Sequence, residues 1–292
     1  MSAIFEFLQG LARFAVPIFV IATMLNVGLT QKPSSIVGYW KEWPFVLKML
    51  LANFVLAPLV MVLAMNWLTF DPALEAGLLI FALCAGAPFL IKLTQTSEHD
   101  IALGAATMLL LMVGTVIYAP LVLPLVLEGI SVAAWAVARS LFLQLLRPIA
   151  VGMLLVQFLE SFAKTVQPWA ARIGNYALYV VLGATLIGYL PQMLDIVGTG
   201  AILVGIVFVL VAFGIGYVLG RGEDHTEDVG GLGTAQRNTA AGLIIATQNF
   251  SDPNVLVILT LANTLGIVML LLIAKRLSRD NEGGGEGETA QG

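Results

Sequence analysis

The chain has 292 residues, of which 59% are hydrophobic and only 11% are charged, and its mean hydropathy is +0.94. Soluble domains carry about a quarter charged residues, so this composition excludes a soluble globular protein and indicates a polytopic membrane protein in a lipid bilayer. The formal net charge is −4, and we expect no nucleic-acid partner. A lone cysteine, Cys84, excludes an intrachain disulfide framework.

A helix crosses the hydrocarbon core in roughly 20 apolar residues. By this length criterion the sequence predicts an all-α fold with about nine transmembrane helices. The predicted crossings are residues 11–30, 46–67, 74–97, 101–127, 141–160, 173–194, 198–219, 229–250 and 254–275. Residues 129–140 are interpreted as a short interfacial helix before the fifth crossing. Residues 1–279 would form one transmembrane domain, and residues 280–292 a disordered cytoplasmic tail.

Basic residues predict the orientation of the chain, because cytoplasmic loops carry an excess of lysine and arginine. If the crossings alternate, one side of the membrane receives Lys32, Lys41, Lys48, Lys164, Arg172, Arg221, Lys275, Arg276 and Arg279. The opposite loops carry mainly aspartate and glutamate, with Arg139 as the main basic exception. We therefore expect the N-terminus outside and the C-terminus in the cytoplasm of a cell membrane, as in a bacterial inner membrane.

Two predicted crossings carry residues that break helices. The third holds Gly86 and Pro88, and a proline inside a helix loses a hydrogen bond and clashes with the preceding turn. The eighth holds Gly231 and Gly233, which loosen a helix. These four residues are the predicted helix breaks.

The two broken crossings share a spacing. Gly86 stands six residues before Lys92, and Gly231 stands six residues before Arg237. The two segments lie an odd number of crossings apart, so they traverse the membrane in opposite directions. Interrupted helices at corresponding positions of two inverted halves point to the midplane binding site of a secondary transporter.

Arg237 is the residue that most needs an explanation. It lies nine residues beyond Asp228, which is about 14 Å of helix. A charge at the bilayer centre costs roughly 3 kcal/mol on insertion scales, so a site-lining role explains Arg237 better than snorkelling to the surface. The neighbouring Asn238 and Thr239 are expected to face the same ligand.

Two further polar residues join the predicted substrate site with a weaker argument. Lys92 fits an ordinary cytoplasmic lysine as well as a site residue, and Asn263 fits interhelical packing as well as ligand binding. The full predicted substrate-binding set is Arg237, Asn238, Thr239, Lys92 and Asn263.

The sequence lacks the common catalytic motifs. The sequence has no His-Glu-x-x-His, no Gly-x-Ser-x-Gly and no P-loop, so it indicates a protein that is not an enzyme, with no cofactor and no metal site. One alternative stays open. Asp224 and Asp228 resemble the paired aspartates of membrane prenyltransferases, which hold magnesium and diphosphate, although a second such motif is missing.

Three segments resemble the bile acid:sodium symporter family. Residues 26–30 (Asn-Val-Gly-Leu-Thr) resemble a Met-Gly-Leu-Thr that closes an early helix, and residues 85–103 are similar to the fourth-helix stretch. Residues 233–238 fall where the family has Glu-x-Gly-x-Gln-Asn. The resemblance implies two inverted five-helix repeats, here without the first helix, with two broken helices crossing in a core domain beside a panel domain. It implies core helices at about 46–127 and 198–275 and panel helices at about 11–30 and 141–194.

The departures from the family pattern concern its sodium ligands. The resemblance implies that a Ser-Asn pair, a Glu and a Gln help to bind two sodium ions. By position these become Leu90 and Ile91, Gly233, and Arg237, while Asn238 is retained. Leucine and isoleucine offer no oxygen to sodium, and a guanidinium would repel it. Sodium coupling through these sites is therefore not expected.

The resulting hypothesis is a secondary active or facilitative transporter of a small organic anion, in which Arg237, with Lys92 if it faces the site, replaces bound sodium. A desolvated lysine can release a proton, so proton coupling through Lys92 is one option beside uniport and anion exchange. The alternative within the class is a sodium-coupled organic anion or bile acid symporter with displaced ion ligands. An arsenite exporter of the same superfamily would place a cysteine near Cys84, but its ninth-helix acid is absent here. Substrate and oligomeric state are left open.

Overall fold

The structure is a computed structural model that describes residues 2–127, 134–222 and 226–289. All regular secondary structure in these ranges is helical, which confirms the predicted all-α class. In chain order the helices are α1 (Ser2–Thr30), α2 (Pro33–Trp40), α3 (Trp43–Trp67), α4 (Pro72–Leu83), α5 (Phe89–Thr96), α6 (Ile101–Val126), α7 (Ala134–Phe158), α8 (Glu160–Gly188), α9 (Leu190–Ile196), α10 (Ala201–Gly220), α11 (Glu227–Ala235), α12 (Thr239–Asn249) and α13 (Pro253–Thr289).

Within the described residues, seven helices are long and apolar enough to cross a membrane, namely α1, α3, α6, α7, α8, α10 and α13. The pairs α4–α5 and α11–α12 differ, because each consists of two short helices separated by a few non-helical residues. Even α4, with 12 residues, is only about 18 Å long, which is too short to span the hydrocarbon. The predicted total of nine crossings requires each pair to cross as one interrupted helix, and it stays a prediction.

Several predicted boundaries differ from the structure. Residues 134–140 do not form a separate interfacial helix, because α7 runs unbroken from Ala134 to Phe158. Residues 129–133, which were part of that interpretation, lie outside the described residues. Helix α8 begins at Glu160, well before the predicted crossing at 173–194. The prediction counted only apolar runs, and such a count does not detect a helix that continues beyond the hydrocarbon.

The C-terminal segment keeps its status as a prediction. The structure continues α13 through Thr289, over most of the segment 280–292 that is expected to be disordered, and residues 290–292 lie outside the described ranges. Glycine has a low helix propensity, and four glycines fall between residues 283 and 287.

Close helix packing organises the bundle. Helix α1 packs along α8 and α7, whereas α10 packs on α11 and α13 on α4. A Cβ added at Gly28 of α1 would lie 2.2 Å from the backbone oxygen of Ile149 in α7, so the two backbones touch. Small residues allow such close contact between membrane helices, where van der Waals packing replaces the hydrophobic drive.

Helices α3 and α7 each contain one widened, π-helical turn, at Ala52–Leu56 and Phe142–Leu146. Each turn is followed within two residues by a proline, Pro58 or Pro148. A proline ring clashes with the carbonyl four residues earlier and donates no hydrogen bond, and a local widening accommodates it. Such turns often occur at functional sites, and the one in α3 contains Asn53.

Candidate functional site

The first interruption lies between α4 and α5. Helix α4 ends at Leu83, the backbone is non-helical from Cys84 onward, and Pro88 is the N-cap of α5. Gly86 has φ +78°, a left-handed conformation that side chains disfavour. A Cβ at this residue would also lie 2.2 Å from the backbone nitrogen of Met112, so only glycine fits the turn. Gly86 and Pro88 both lie within this interruption.

Side chains from other helices satisfy the backbone of the first interruption. The Thr115 hydroxyl of α6 accepts a hydrogen bond from the Ala85 N–H and donates one to the Ala85 carbonyl, both at 2.9 Å. The backbone N–H of Asn238 donates to the Cys84 carbonyl, and its side-chain Nδ2 donates to the Gly86 carbonyl, both at 2.8 Å. These bonds replace those that the helix gives up, since lipid offers none.

The second interruption lies between α11 and α12, at Gln236, Arg237 and Asn238. The prediction of helix breaks at Gly231 and Gly233 is wrong, because both residues lie inside α11. Polar residues, not glycines, end this half-helix. Asn238 starts the next one as its N-cap, with its Oδ1 accepting from the Ala241 N–H at 3.0 Å.

The glycines of α11 serve close packing instead. A Cβ at Gly230 would lie 2.5 Å from the Gly216 carbonyl oxygen of α10, and one at Gly231 would lie 2.8 Å from the Phe213 ring. The glycines in this segment therefore did indicate an unusual structural requirement. Its cause is contact with α10 rather than a loss of helix.

The predicted register between the two broken helices is also wrong. The second half-helix begins after Pro88 in the first interruption and after Asn238 in the second. With these N-caps superimposed in sequence, Arg237 corresponds to Ala87 and not to Lys92. The two interruptions nevertheless meet in space, because Asn238 bonds to the backbone of the first.

Arg237 is the centre of the site. It is 1% exposed and is the largest fully buried side chain among the described residues. Its Nη1 donates to Asn53 Oδ1 at 3.4 Å, and its guanidinium lies 5.2 Å from the centroid of the Phe208 ring. Its Nε and Nη2 atoms are buried without a hydrogen-bond partner. In the described part of the chain no carboxylate lies within ion-pair distance of this cation.

Asn53, which the sequence interpretation did not single out, is held so that it faces Arg237. Its Nδ2 donates to the Met49 carbonyl at 3.0 Å and to the Thr234 hydroxyl at 3.1 Å. These two bonds direct its Oδ1 toward the guanidinium. A buried amide within an apolar crossing was the available signal. Phe208 gave no signal, because it is one of three aromatic residues in an apolar helix.

The other predicted site residues differ in position. Thr239 is half-buried at the start of α12, and its N–H donates to the Arg237 carbonyl at 3.0 Å. Lys92 is exposed, with its Nζ donating to Gln95 Oε1 at 3.3 Å. Asn263 is half-buried on α13. Among the described side-chain hydrogen bonds, none joins Lys92 or Asn263 to residues 236–238, so the structure brings only part of the predicted set together.

Two of the positions that the family resemblance assigns to sodium ligands, Leu90 and Gly233, are in contact with methyl groups. Leu90 is fully buried, and a Cβ added at Gly233 would lie 3.3 Å from both Leu90 Cδ2 and Thr107 Cγ2. Residues 90 and 233 therefore lie next to each other, and methyl groups fill the space between them. Two buried oxygens, Thr107 Oγ1 and Gln236 Oε1, have no hydrogen-bond partner in the described structure.

Acidic residues do not form a metal centre in the described ranges, where no group of three or more His, Cys, Asp or Glu side chains is placed to hold an ion. Asp228 lies in the first turn of α11, where a carboxylate complements the helix dipole. Asp224, the other residue of the prenyltransferase hypothesis, lies outside the described residues.

A helical membrane protein whose two interrupted helices meet at their breaks has the architecture of a secondary transporter. Comparison with known families supports this class. The sequence model described as "Sodium Bile acid symporter family" matches residues 17–220, which is more than half of the chain. The chain belongs to the sodium bile acid symporter family, whose members are transporters and not enzymes. This finding confirms the resemblance and sets the prenyltransferase alternative aside.

Two curated relatives give the same class. The chain is 27% identical over 200 residues to the probable sodium/metabolite cotransporter BASS3, chloroplastic, of Arabidopsis thaliana, covering 66% of this chain and 46% of that protein. It is 24% identical over 212 residues to the probable sodium/metabolite cotransporter BASS2, chloroplastic, of Oryza sativa subsp. japonica, covering 71% and 50%. The chain thus spans about half the length of the curated relatives it matches. The family match ends at residue 220, before α11, α12 and Arg237.

Proposed function

We propose that this protein is a secondary active or facilitative transporter of a small organic anion, and that it works without sodium because Arg237 supplies the positive charge of the site. The anion would bind where the two interrupted helices meet. Both relatives are named sodium/metabolite cotransporters, so the proposal predicts a change of coupling within the family.

One observation carries the proposal, namely a fully buried arginine without an anionic partner among the described residues. Burying an unpaired charge is strongly unfavourable, and a buried charge normally has a counter-ion. Arg237 keeps two N–H groups without partners, and a stacked ring and one long hydrogen bond replace only part of its hydration. A bound anion would complete both the charge balance and the hydrogen bonds.

The packing around Leu90 supports the absence of sodium from the family's positions. Hard cations need oxygen ligands, and the methyl groups of Leu90 and Thr107 lie where the resemblance would place such ligands. The positive charge of Arg237 is permanent, because a guanidinium stays protonated in proteins. It cannot dissociate as a bound ion would, and this favours uniport or anion exchange over symport.

Lys92 is no longer part of the proposed binding site. Its side chain is exposed, and its Nζ donates to Gln95 Oε1 rather than to any residue of the second interruption. We therefore place the recognition charge on Arg237 alone. Asn238 keeps a role in the site because it ties the two interruptions together through Cys84 and Gly86.

Arg237 is closed off from solvent in this structure, so transport requires motion. We propose that a core of α3–α6 and α10–α13 moves against a panel of α1, α7 and α8, by an elevator or rocking movement that exposes the site to each side in turn. The packing of α1 on α7 and α8, and of α10 on α11, supports this division. We place the protein in a cell membrane, with the N-terminus outside and the C-terminus in the cytoplasm.

A thermal-shift screen of the purified full chain tests this function. Potassium salts of small organic anions are added in sodium-free buffer and again with sodium chloride, to the wild type and to Arg237→Gln. We expect a stabilising anion whose effect is equal in both buffers and absent in Arg237→Gln. Its uptake into proteoliposomes should then be independent of a sodium gradient. A stabilisation or uptake that requires sodium, or that persists unchanged in Arg237→Gln, would contradict the proposal.

A sodium-coupled symporter with displaced ion ligands is the second candidate. Thr107 Oγ1 and Gln236 Oε1 favour it, because they are buried oxygens without partners. In that case Thr107→Val should remove a sodium-dependent stabilisation of the wild type. If sodium has no effect on the wild type in the first place, this candidate is excluded.

A further inference from the structure

Only part of the Arg237 guanidinium has hydrogen-bond partners. An arginine presents five N–H donors in a rigid planar fork. The Nη1 end of the fork faces Asn53, and the flat face lies against Phe208. The side edge of the fork is formed by Nε–H and one N–H of Nη2, which point the same way, and both of these atoms are buried without partners.

Two parallel donors on one edge suit an anion that accepts on two oxygens at once. A carboxylate lies in the plane of a guanidinium and accepts one hydrogen bond on each oxygen, which is the strong bidentate arrangement. A halide would leave one donor unsatisfied. A tetrahedral anion would direct a third oxygen away from the plane of the edge, where it needs a donor of its own.

The charge of the surroundings sets the charge of the ligand. Among the described residues, Arg237 has neither a carboxylate partner nor a second cation in contact with it. A monoanion therefore neutralises the buried charge, whereas a dianion would leave a net negative charge in a low-dielectric interior.

From this geometry we infer that the transported anion is recognised through a single carboxylate, bound side-on to the Nε–Nη2 edge of Arg237. The inference rests on the proposed function and narrows its substrate class to monocarboxylates. Because the edge is closed to solvent here, the bound carboxylate would be occluded from both sides of the membrane. The body of the substrate would extend from this anchor.

The test compares matched ligands of different head groups. The probes are butyrate, 2-hydroxybutyrate and benzoate as potassium salts, each beside its amide, with butane-1-sulfonate and chloride as other anions. Binding to the full chain is measured by thermal shift and calorimetry in sodium-free buffer. We expect stabilisation by at least one carboxylate, none by its amide, and about tenfold weaker binding of the sulfonate, because its third oxygen would be buried without a donor.

Two variants separate the fork from the charge. Arg237→Lys keeps a positive charge but lacks the two-donor edge, and it should lower carboxylate affinity by about tenfold or more. Arg221→Lys is the matched control, because Arg221 also lies over an aromatic ring, 5.3 Å from the centroid of Tyr217, but is exposed. The control should bind as the wild type does. Size-exclusion chromatography confirms that both variants are folded, and the wild-type ligand series decides the question if Arg237→Lys is not.

The outcomes are distinguishable. If the sulfonate or chloride binds as tightly as the carboxylates and depends on Arg237, the carboxylate inference is wrong and the anion-transport proposal stands. If Arg237→Lys binds carboxylates as the wild type does, the side-on arrangement is wrong. If no anion of the series binds in an Arg237-dependent way, both the inference and the proposed function are contradicted.

Discussion

The two interruptions achieve the same break in a helix by different means. The first, at Cys84–Pro88, uses a left-handed glycine and a helix-starting proline, and no charged side chain lies in it. The second, at Gln236–Asn238, has no glycine and consists of three polar residues with a buried cation at the centre. Both are joined by the hydrogen bonds of Asn238.

This difference indicates that the first interruption has a structural role and that the second carries the binding chemistry. At the first interruption every free backbone group named above has a partner, so the segment is complete without a ligand. At the second interruption the backbone is capped, but the Arg237 side chain is not satisfied. A site that is complete on one side and deficient on the other indicates where a ligand binds.

The largest effect is expected from Gly86→Ala. The new Cβ would overlap the backbone of Met112 at 2.2 Å and force a left-handed conformation on alanine. Strain and overpacking together should cost about 3 kcal/mol or more and leave little folded protein. Thermal unfolding in detergent measures this, with Gly10→Ala as the control, since a Cβ at Gly10 meets nothing within 4 Å. A Gly86→Ala variant as stable as the control would show that the first interruption is not rigid.

Arg237→Gln should separate activity from stability. Removing the cation from a buried charge-assisted contact costs about 2–5 kcal/mol of binding, so anion affinity should fall by about a hundredfold. The unfolding temperature without ligand should not fall, because the variant no longer buries an unpaired charge. Calorimetric titration and thermal unfolding are the two measurements. A variant that loses stability but keeps anion binding would make Arg237 a structural residue.

Asn238→Ala tests the connection between the interruptions. It removes the N-cap of α12 and the bond to the Gly86 carbonyl, which together should lower the free energy of unfolding by about 1–3 kcal/mol. Asn249→Ala is the control, because Asn249 makes a bond of the same type, to the Ile245 carbonyl, within one helix. Equal losses of unfolding free energy in the two variants would mean that the hydrogen bond between the interruptions stabilises the protein no more than one within a helix.

The smallest effect is expected far from the site, at the pair Tyr39–Asp100. Burial raises the pKa of Asp100, but hydrogen bonds from the Tyr39 hydroxyl and the Leu103 and Ala102 N–H groups outweigh burial and lower its pKa below the ordinary 3.8. The stabilisation by this carboxylate is therefore present above that value and is lost as the pH falls through the lowered pKa. The difference in unfolding temperature between wild type and Asp100→Asn should be constant near neutral pH and shrink in acid. A difference that grows in acid would reverse the sign.

Sequence periodicity and composition predicted much of the fold, because hydrocarbon imposes apolar runs of a fixed length. Gly86 and Pro88 predicted an interruption because their backbone chemistry is local. The glycines of α11 misled, since Gly231 owes its place to the Phe213 ring on another helix, a contact that no local pattern reveals. For Lys92 the sequence left two roles open, and the packed structure adds that its side chain is exposed.

The candidate site was partly predictable. A charge at membrane depth singled out Arg237 without any structure. Its partners were not predictable, because Asn53 approaches from a π-helical turn 184 positions away in the sequence and Phe208 from the apolar face of α10. Which edge of the guanidinium is left without partners is a property of the packed structure alone.

The most direct test of the claim that Arg237 replaces sodium is a radioactive sodium-binding measurement on the purified wild type, with and without the anion found by the thermal-shift screen. The expected result is no saturable sodium binding in either condition, while the anion still binds. Saturable sodium binding that increases with the anion would contradict the claim, and would place this chain among sodium-coupled symporters.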